Sequence, residues 1–337
     1  MSRTSAALAL LASLVLFLAL LMVPRPTAPQ PTPSRAGDAA TYETILSRLK
    51  TGERYYSVVG DELRRGQYAT REAFNWRTPL LWTSLARVPD VAGRTGLVAL
   101  GLLLLGATFV MTAHQPLWVA GSNVMQAGAM VTLMVPAAVL FGETWAGVLI
   151  GLSVWMYWRN RIRWAVPLGL LALFVRELAA PYCVACTINA AMNRRWREVA
   201  VWCGGACLYG AYYGWHLVQV FAQRLPTDLA HKSSWLELGG LPSLLMKARW
   251  QALLLLSPQW TTAVAMTLVA VGVVAGRTPV HVRLTTVVYI GFFMLAGKSF
   301  DDYWGLVAWP TWALAFGYGL QFVCDAASTV VAVPHQD

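Results

Sequence analysis

Nine ionisable residues lie close to apolar runs without belonging to a basic cluster: Asp38, Glu53, Arg77, Glu143, Arg176, Glu177, Lys298, Asp301 and Asp302. Charged side chains at such depth cost roughly 2.5–3.5 kcal/mol each on insertion scales, so they pair with one another or serve a function. The set mixes acids with cations. A carboxylate takes a proton from a hydroxyl or helps to hold a metal, and an Arg or Lys holds a phosphate and stabilises it as it leaves. Each residue also has a plainer reading. Glu143 suits the first turn of a helix, where the macrodipole favours an acid. Arg176-Glu177 suits an interfacial ion pair, and Lys298, Asp301 and Asp302 suit a solvated loop. Asp38 is ordinary in a polar stretch, and Arg77 before Thr78-Pro79 suits a headgroup anchor.

Other chemistries find less to work with. His114, His216, His231, His281 and His335 share no metal-ligand spacing, and His216 reads as a packed or hydrogen-bonded helix residue. No Walker loop, dinucleotide fingerprint, Ser/His/Asp series or transporter-like internal repeat is visible. Cys183 and Cys186 form a CxxC, and Cys203 and Cys207 a CxxxC, both inside apolar stretches that would serve zinc or a redox dithiol poorly. They read as small packing residues on adjacent helices, with a disulfide between the helices as the alternative.

The elements that must position these residues are membrane helices. Of 337 residues, 57% are hydrophobic and only 12% charged, about half the charge density that covers a soluble domain. Much of the surface must therefore face lipid. The net charge of +10 raises nucleic acid as a partner, but the arginines sit in short clusters between apolar runs and form no basic stripe with interleaved aromatics. Sixteen tryptophans fit the headgroup level of a bilayer.

Residues 6–23 read as a signal anchor, with a cleaved signal peptide as the rival, and the prolines from Pro24 to Pro33 as a stiff spacer. Segment 24–92 is an external loop with two amphipathic helices on the membrane surface, the second stopped by Gly66. Further spans are expected near 94–112, 119–140, 144–158, 164–178, 179–193, 199–222, 260–276, 283–297 and 305–323, with a cytoplasmic tail over 324–337. Segment 240–258 reads as a surface or re-entrant helix. Arg159, Arg161 and Arg163, then Arg194, Arg195 and Arg197, then Arg277 and Arg283, all fall on one side when the spans alternate from an inside N-terminus. The positive-inside rule makes that side cytoplasmic, so the candidate residues gather on the other. One domain, 1–337, is expected.

The stretch Gly52-Glu53-Arg54-Tyr55-Tyr56, then Asp61 to Tyr68, then Arg77-Thr78-Pro79-Leu80-Leu81-Trp82 resembles the first external loop of GT-C type glycosyltransferases. Those membrane enzymes include bacterial aminoarabinose transferases and protein mannosyltransferases. Arg77-Thr78-Pro79 stands where their Lys-Pro-Pro would be, and Gly52-Glu53 where an acidic pair is usual. The chain as a whole resembles shorter proteobacterial membrane proteins of cell-surface glycopolymer formation. The shared pieces are Asp38-x-x-x-Tyr42, Gly52-x-x-Tyr55-Tyr56, Phe74 to Pro79, Phe141 to Gly147, Arg176 to Tyr182 and Tyr303-Trp304-Gly305.

The resemblance implies an all-α, GT-C-like transmembrane bundle of about ten helices in a bacterial inner membrane, with a periplasmic active face. It implies a polyprenyl-phosphate-sugar donor, a glycan or lipid acceptor, and membrane lipids as partners. Asp38 or Glu53 would be the base and Glu143 a second acid. Arg176 and Lys298 would bind donor phosphate, with Arg77, Glu177, Asp301, Asp302 and Tyr303 lining the substrate site. A divalent metal bridging carboxylates and phosphate is compatible with this set, although no residue is assigned as its ligand. A transporter or flippase for lipid-linked sugars, or a non-catalytic assembly partner, would use the same membrane scaffold.

Overall fold

A computed structural model describes residues 1–24, 37–230, 237–275, 277–298 and 301–332. They fold as helices and their connections. In chain order these are α1 Arg3–Leu21, α2 Asp38–Lys50, α3 Tyr55–Arg65, α4 Pro79–Ala86, α5 Asp90–Thr112, α6 Gly121–Leu133, α7 Gly142–Trp158 and α8 Ile162–Val175. There follow α9 Ala180–Met192, α10 Trp196–Ala222, α11 Gly240–Ala248, α12 Ala252–Leu255, α13 Trp260–Val274, α14 Val280–Leu295 and α15 Trp309–Val331. The expected spacer lies outside the described residues beyond Pro24, as do His231 and His335.

Among the described residues three helices, α1, α5 and α15, are long and apolar enough to cross a membrane. The 19 residues of α1 rise about 28 Å, close to the hydrocarbon thickness of about 30 Å. Ser2 caps its start by accepting from Ser5 N at 3.1 Å. The helix docks on α13 and α15, yet Leu8, Leu11, Leu14, Val15 and Leu18 remain exposed, as on a lipid-facing helix. Helices α8, α13 and α14 are apolar but shorter.

The observed elements depart from the expected spans in places. The run 119–140 is broken into a 3₁₀ turn at Leu117–Ala120, α6, and another at Pro136–Leu140, because Pro116 and Pro136 each open a new turn without an N–H to donate. The tail begins later than expected, since α15 runs on to Val331. Gly66 is the C-cap of α3 with φ −79°, and the left-handed position is the next residue, Gln67 at φ 56°. Tyr68 N then bonds back to Leu63 O at 2.9 Å, the pattern that closes a helix end.

Helices α13 and α15 meet without side chains between them. A Cβ on Gly272 would lie 1.9 Å from Ala315 O, and one on Gly319 1.9 Å from Leu268 O. Such backbone approach is how small residues drive packing where no hydrophobic effect separates helix from lipid. Around this pair a core forms that includes Tyr182, Trp202, Tyr289, Phe293, Trp309 and Trp312.

A second core covers one end of the bundle. Helix α2 presents Tyr42, Ile45, Leu46 and Leu49 at helical spacing and buries all four. Val58, Val59 and Leu63 of α3 and Leu81, Trp82 and Leu85 of α4 join them against α5 and α7. The amphipathic faces expected to lie on lipid are thus covered by protein. Likewise α11, read as a surface or re-entrant helix, carries Lys247 fully buried.

The cysteines are free among the described residues. Cys183 and Cys186 pack inside as expected, whereas Cys203 and Cys207 are exposed. Their four-residue spacing puts them together on the outward stripe of α10.

Candidate functional site

The site sits where α2, the start of α4, the start of α7 and the α8–α9 junction meet. In the run Phe141-Gly142-Glu143-Thr144-Trp145 the polar side chains divide between fastening the backbone and facing the site. Thr144 Oγ1 bonds to Ala138 O and Phe141 O at 2.7 and 2.6 Å, and Trp145 Nε1 donates to Val139 O at 2.9 Å. These bonds fasten the 3₁₀ turn to α7 and leave Glu143 facing α8.

Helix α8 stops at Arg176, whose backbone swings to φ −152°, ψ 119°. That break turns the guanidinium inward. Its Nε donates to Glu143 Oε1 at 2.7 Å, and Nη1 pairs with Glu177 Oε1. Arg176 and Glu143 are each only 2% exposed, so the pair is paid for by its own geometry rather than by water. Trp304 lies beneath, with Cζ 5.8 Å from the ring centroid. The third nitrogen, Nη2, is buried and has no hydrogen-bond partner among the described residues. Orphaned buried donors are rare enough to need a reason.

Asp38 begins α2 and is half-buried. Tyr68 donates to its Oδ1 at 2.6 Å and Tyr303 to its Oδ2 at 3.1 Å. Arg77 Nη2 reaches the same Tyr303 hydroxyl at 3.1 Å, and Arg77 Nε reaches Tyr42 OH at 3.3 Å. Residues more than two hundred positions apart thus join as Asp38–Tyr303–Arg77. The backbone at Arg77 is held by Tyr55, which donates to its carbonyl at 2.5 Å. His216 is the packed residue expected, bonding to Tyr56 OH and Trp76 O at 3.0 Å each. Burial pushes the Tyr42 hydroxyl up and that of Tyr303 well up, with Arg77 pulling both the other way, so both stay protonated. Phe141 stands between these two rings, 5.5 Å from Tyr42 and 5.2 Å from Tyr303.

Beside this cluster, Asp301 Oδ2 accepts from Lys298 N at 2.7 Å. Both residues are buried. Burial raises the Asp301 carboxyl to about 6, against the pull of Arg77, Lys247 and Arg176. Asp302 is also raised, chiefly by burial, and faces a separate recess of about 210 Å³ with Arg249 and Trp250. Lys247 Nζ donates to Ser243 Oγ at 2.7 Å, and burial lowers its ammonium to about 8. The turn carrying Tyr303 lies directly on α11. A Cβ on Gly305 would fall 1.9 Å from Lys247 O, so only glycine lets the two backbones touch.

Asp38, Arg77, Tyr303, Glu143, Arg176 and Glu177 are therefore brought together, with Asp301 next to them. Glu53 is not. It is exposed and paired with Arg48 at 2.5 Å. Tyr42, Tyr68 and Lys247 were missed as site residues. Lys247, which with Arg249 breaks the apolar run Leu244-Leu245-Met246, carried the clearest sequence signal. The hollow bordered by Tyr42, Arg77, Glu143, Arg176 and Glu177 holds about 10 Å³, room for about one water. Among the described residues no group of three or more His, Cys, Asp or Glu is placed to hold a metal. The carboxylates facing the hollow are engaged by arginine, so the donor set does not fit a divalent cation.

No family model, curated protein or solved structure matches this chain.

Proposed function

We propose that the chain is a membrane glycosyltransferase of about ten spans, moving a sugar from a polyprenyl-phosphate donor to a glycan or lipid acceptor on the periplasmic face of a bacterial inner membrane. The observation that carries this is Arg176 Nη2, a buried guanidinium donor left open beside the hollow it borders with Arg77. A phosphate oxygen is the partner that best suits such a donor.

In this reading Asp38 is the base, since it is half-buried and is held by tyrosine hydroxyls, whereas Glu143 and Glu177 are both engaged by Arg176. It takes the proton of the acceptor hydroxyl as that oxygen bonds to the anomeric carbon. The bond from that carbon to the phosphate oxygen breaks, and the electron pair leaves with the polyprenyl phosphate. Arg77 and Arg176 stabilise the departing charge, and one displacement inverts the anomeric configuration. Glu143 and Glu177 hold Arg176 in place. A sugar phosphate needs several hundred Å³, so in this reading the hollow widens around Arg77 and Arg176 when the donor enters.

A second reading, a non-catalytic partner in glycan assembly, is favoured by the tightness of the hollow and by the internal pairing of its charges. The two separate in one assay. Purified protein given a panel of polyprenyl-phosphate sugars is expected to transfer one of them, with Asp38→Asn reducing turnover at least about hundredfold and Glu53→Gln leaving it unchanged. Normal turnover in Asp38→Asn would remove the base, and no transfer across the panel would leave the partner reading.

A further inference from the structure

The end of the molecule opposite the candidate site carries a feature that sugar transfer does not use. Helices α8 and α10 run parallel and both begin there. They touch farther along, where Leu170 lies over Gly205 and the Trp202 ring over Gly169. Toward their first turns they part and leave a groove of about 860 Å³. Ile162, Val166, Pro167 and Val201 give it apolar walls, and Arg163, Arg194, Arg195 and Arg197 line it as well.

The charge in this groove is unbalanced. Its one carboxylate, Glu198, is taken up internally, accepting from Tyr157 OH at 2.5 Å and lying 3.1 Å from Arg195 Nη1. Arg163, Arg194 and Arg197 make no salt bridge among the described residues, and Arg195 Nε is buried there without a hydrogen-bond partner. The turn between α9 and α10 presents Arg194 and Arg195, while Arg197 and Arg163 stand in the first turns of α10 and α8. Arg194 takes a left-handed φ of 54°, and Arg195 N closes back on Ala190 O at 2.9 Å. The starts of α8 and α10 have no side-chain cap, so their free N–H groups add to the positive field. Trp196 and Val201 at the mouth are exposed, and the groove opens onto the apolar outer face of α10, where Leu208, Val218 and Phe221 are exposed too.

We infer that this groove binds an anionic phospholipid, its phosphate among Arg163, Arg194 and Arg197 and an acyl chain along Val166 and Val201. Four arginines against one neutralised acid give the charge complementarity, and the apolar walls select a lipid over a soluble anion. The inference stands apart from sugar transfer, which would occur at the other end.

The test uses the full chain in neutral detergent. Phosphatidylglycerol, phosphatidylcholine and inorganic phosphate are added separately, and both the thermal midpoint and the lipid retained in native mass spectra are read. Phosphatidylglycerol is expected to raise the midpoint by several degrees and to stay bound, with little effect from the other two. Each arginine removed beside an anionic headgroup weakens binding about fivefold. Arg197→Gln alone should therefore cost about fivefold, and the triple change Arg163→Gln, Arg194→Gln and Arg197→Gln about a hundredfold. Arg3→Gln with Arg159→Gln, outside the groove, should retain the lipid as the parent does. Equal retention by the triple variant, or equal stabilisation by phosphatidylcholine or by inorganic phosphate, would overturn the assignment.

Discussion

Arg176 concentrates the energetics of the site in one side chain. It stands between two carboxylates, and removing it leaves Glu143 buried with no counter-charge, a situation that costs roughly 3–5 kcal/mol. Arg176→Gln is expected to lower the thermal midpoint sharply. Adding Glu143→Gln should recover much of that loss, because the stranded charge is gone, while the proposed sugar transfer would stay absent. A midpoint unaffected by the single change would show that the pair is not buried as described. Asp301 gives a pH dependence of definite sign. Its carboxyl is raised from the ordinary aspartate value to about 6, so the fold favours the protonated form. That preference is fully present below about pH 4 and is lost as pH rises through about 6, to a cost of about 3 kcal/mol. Asp301→Asn should match the parent's midpoint at pH 4 and exceed it at pH 7.5. The site was legible at this scale where a charge interrupts an apolar run, as at Glu143, Arg176 and Asp301. Tyr42 and Tyr68 were not, because a tyrosine in an amphipathic helix looks the same whether its hydroxyl meets water or a carboxylate.

Short helices do the positioning. The 14 residues of α8 rise about 21 Å, short of a hydrocarbon core of about 30 Å, and its break at Arg176 points a cation into protein. Periodicity gave the helices and their order, but not their ends. The 119–140 run is mostly apolar, with Ser122, Asn123, Gln126 and Thr132 scattered through it, and inside it only Pro136 betrays its interruption. Which face of α2 and α3 meets protein was beyond reach of pattern, since lipid and a protein core accept the same side chains. Gly305 tests the contact that orients Tyr303. Gly305→Ala puts a methyl into Lys247 O and should cost more than about 2 kcal/mol through overpacking, with loss of the proposed transfer. Gly106→Ala, whose methyl meets nothing beyond its own helix within 4 Å, should not lower the midpoint. Similar midpoints for the two would separate the Tyr303 turn from α11. Thr144→Val should cost about 1–2 kcal/mol, since it removes both bonds that hold the 3₁₀ turn against α7.

The molecule as a whole has two unlike ends. One gathers Asp38, Arg77, Glu143, Arg176 and Asp301. At the other, Tyr157 meets Glu198 and His281, and Arg277 pairs with Asp325 at 2.5 Å. Alternation of basic clusters made this polarity readable in the sequence, because positive-inside counting uses only short loops. The convergence of segments from both halves of the chain on one hollow was not readable, being a matter of tertiary packing. Orientation has a direct check. Single cysteines at Arg87 and Asn160, in a background without the native five, are expected to react with an impermeant maleimide from opposite faces of sealed vesicles. Labelling of both from the same face would contradict the two-ended arrangement.

The Arg176–Glu143 contact also bears on how the chain is made. The two residues are carried by consecutive helices joined by a tight turn at Asn160, so they can find each other as soon as α8 emerges from the ribosome. In the proposed topology the hairpin enters the bilayer with Arg176 held by Glu143 as well as by its neighbour Glu177. Helix α8 alone would lack the Glu143 contact for a guanidinium whose insertion costs roughly 2.5–3.5 kcal/mol. In a translocon insertion assay, α8 should therefore integrate better behind α7 than behind an unrelated helix, and Glu143→Gln should erase that advantage.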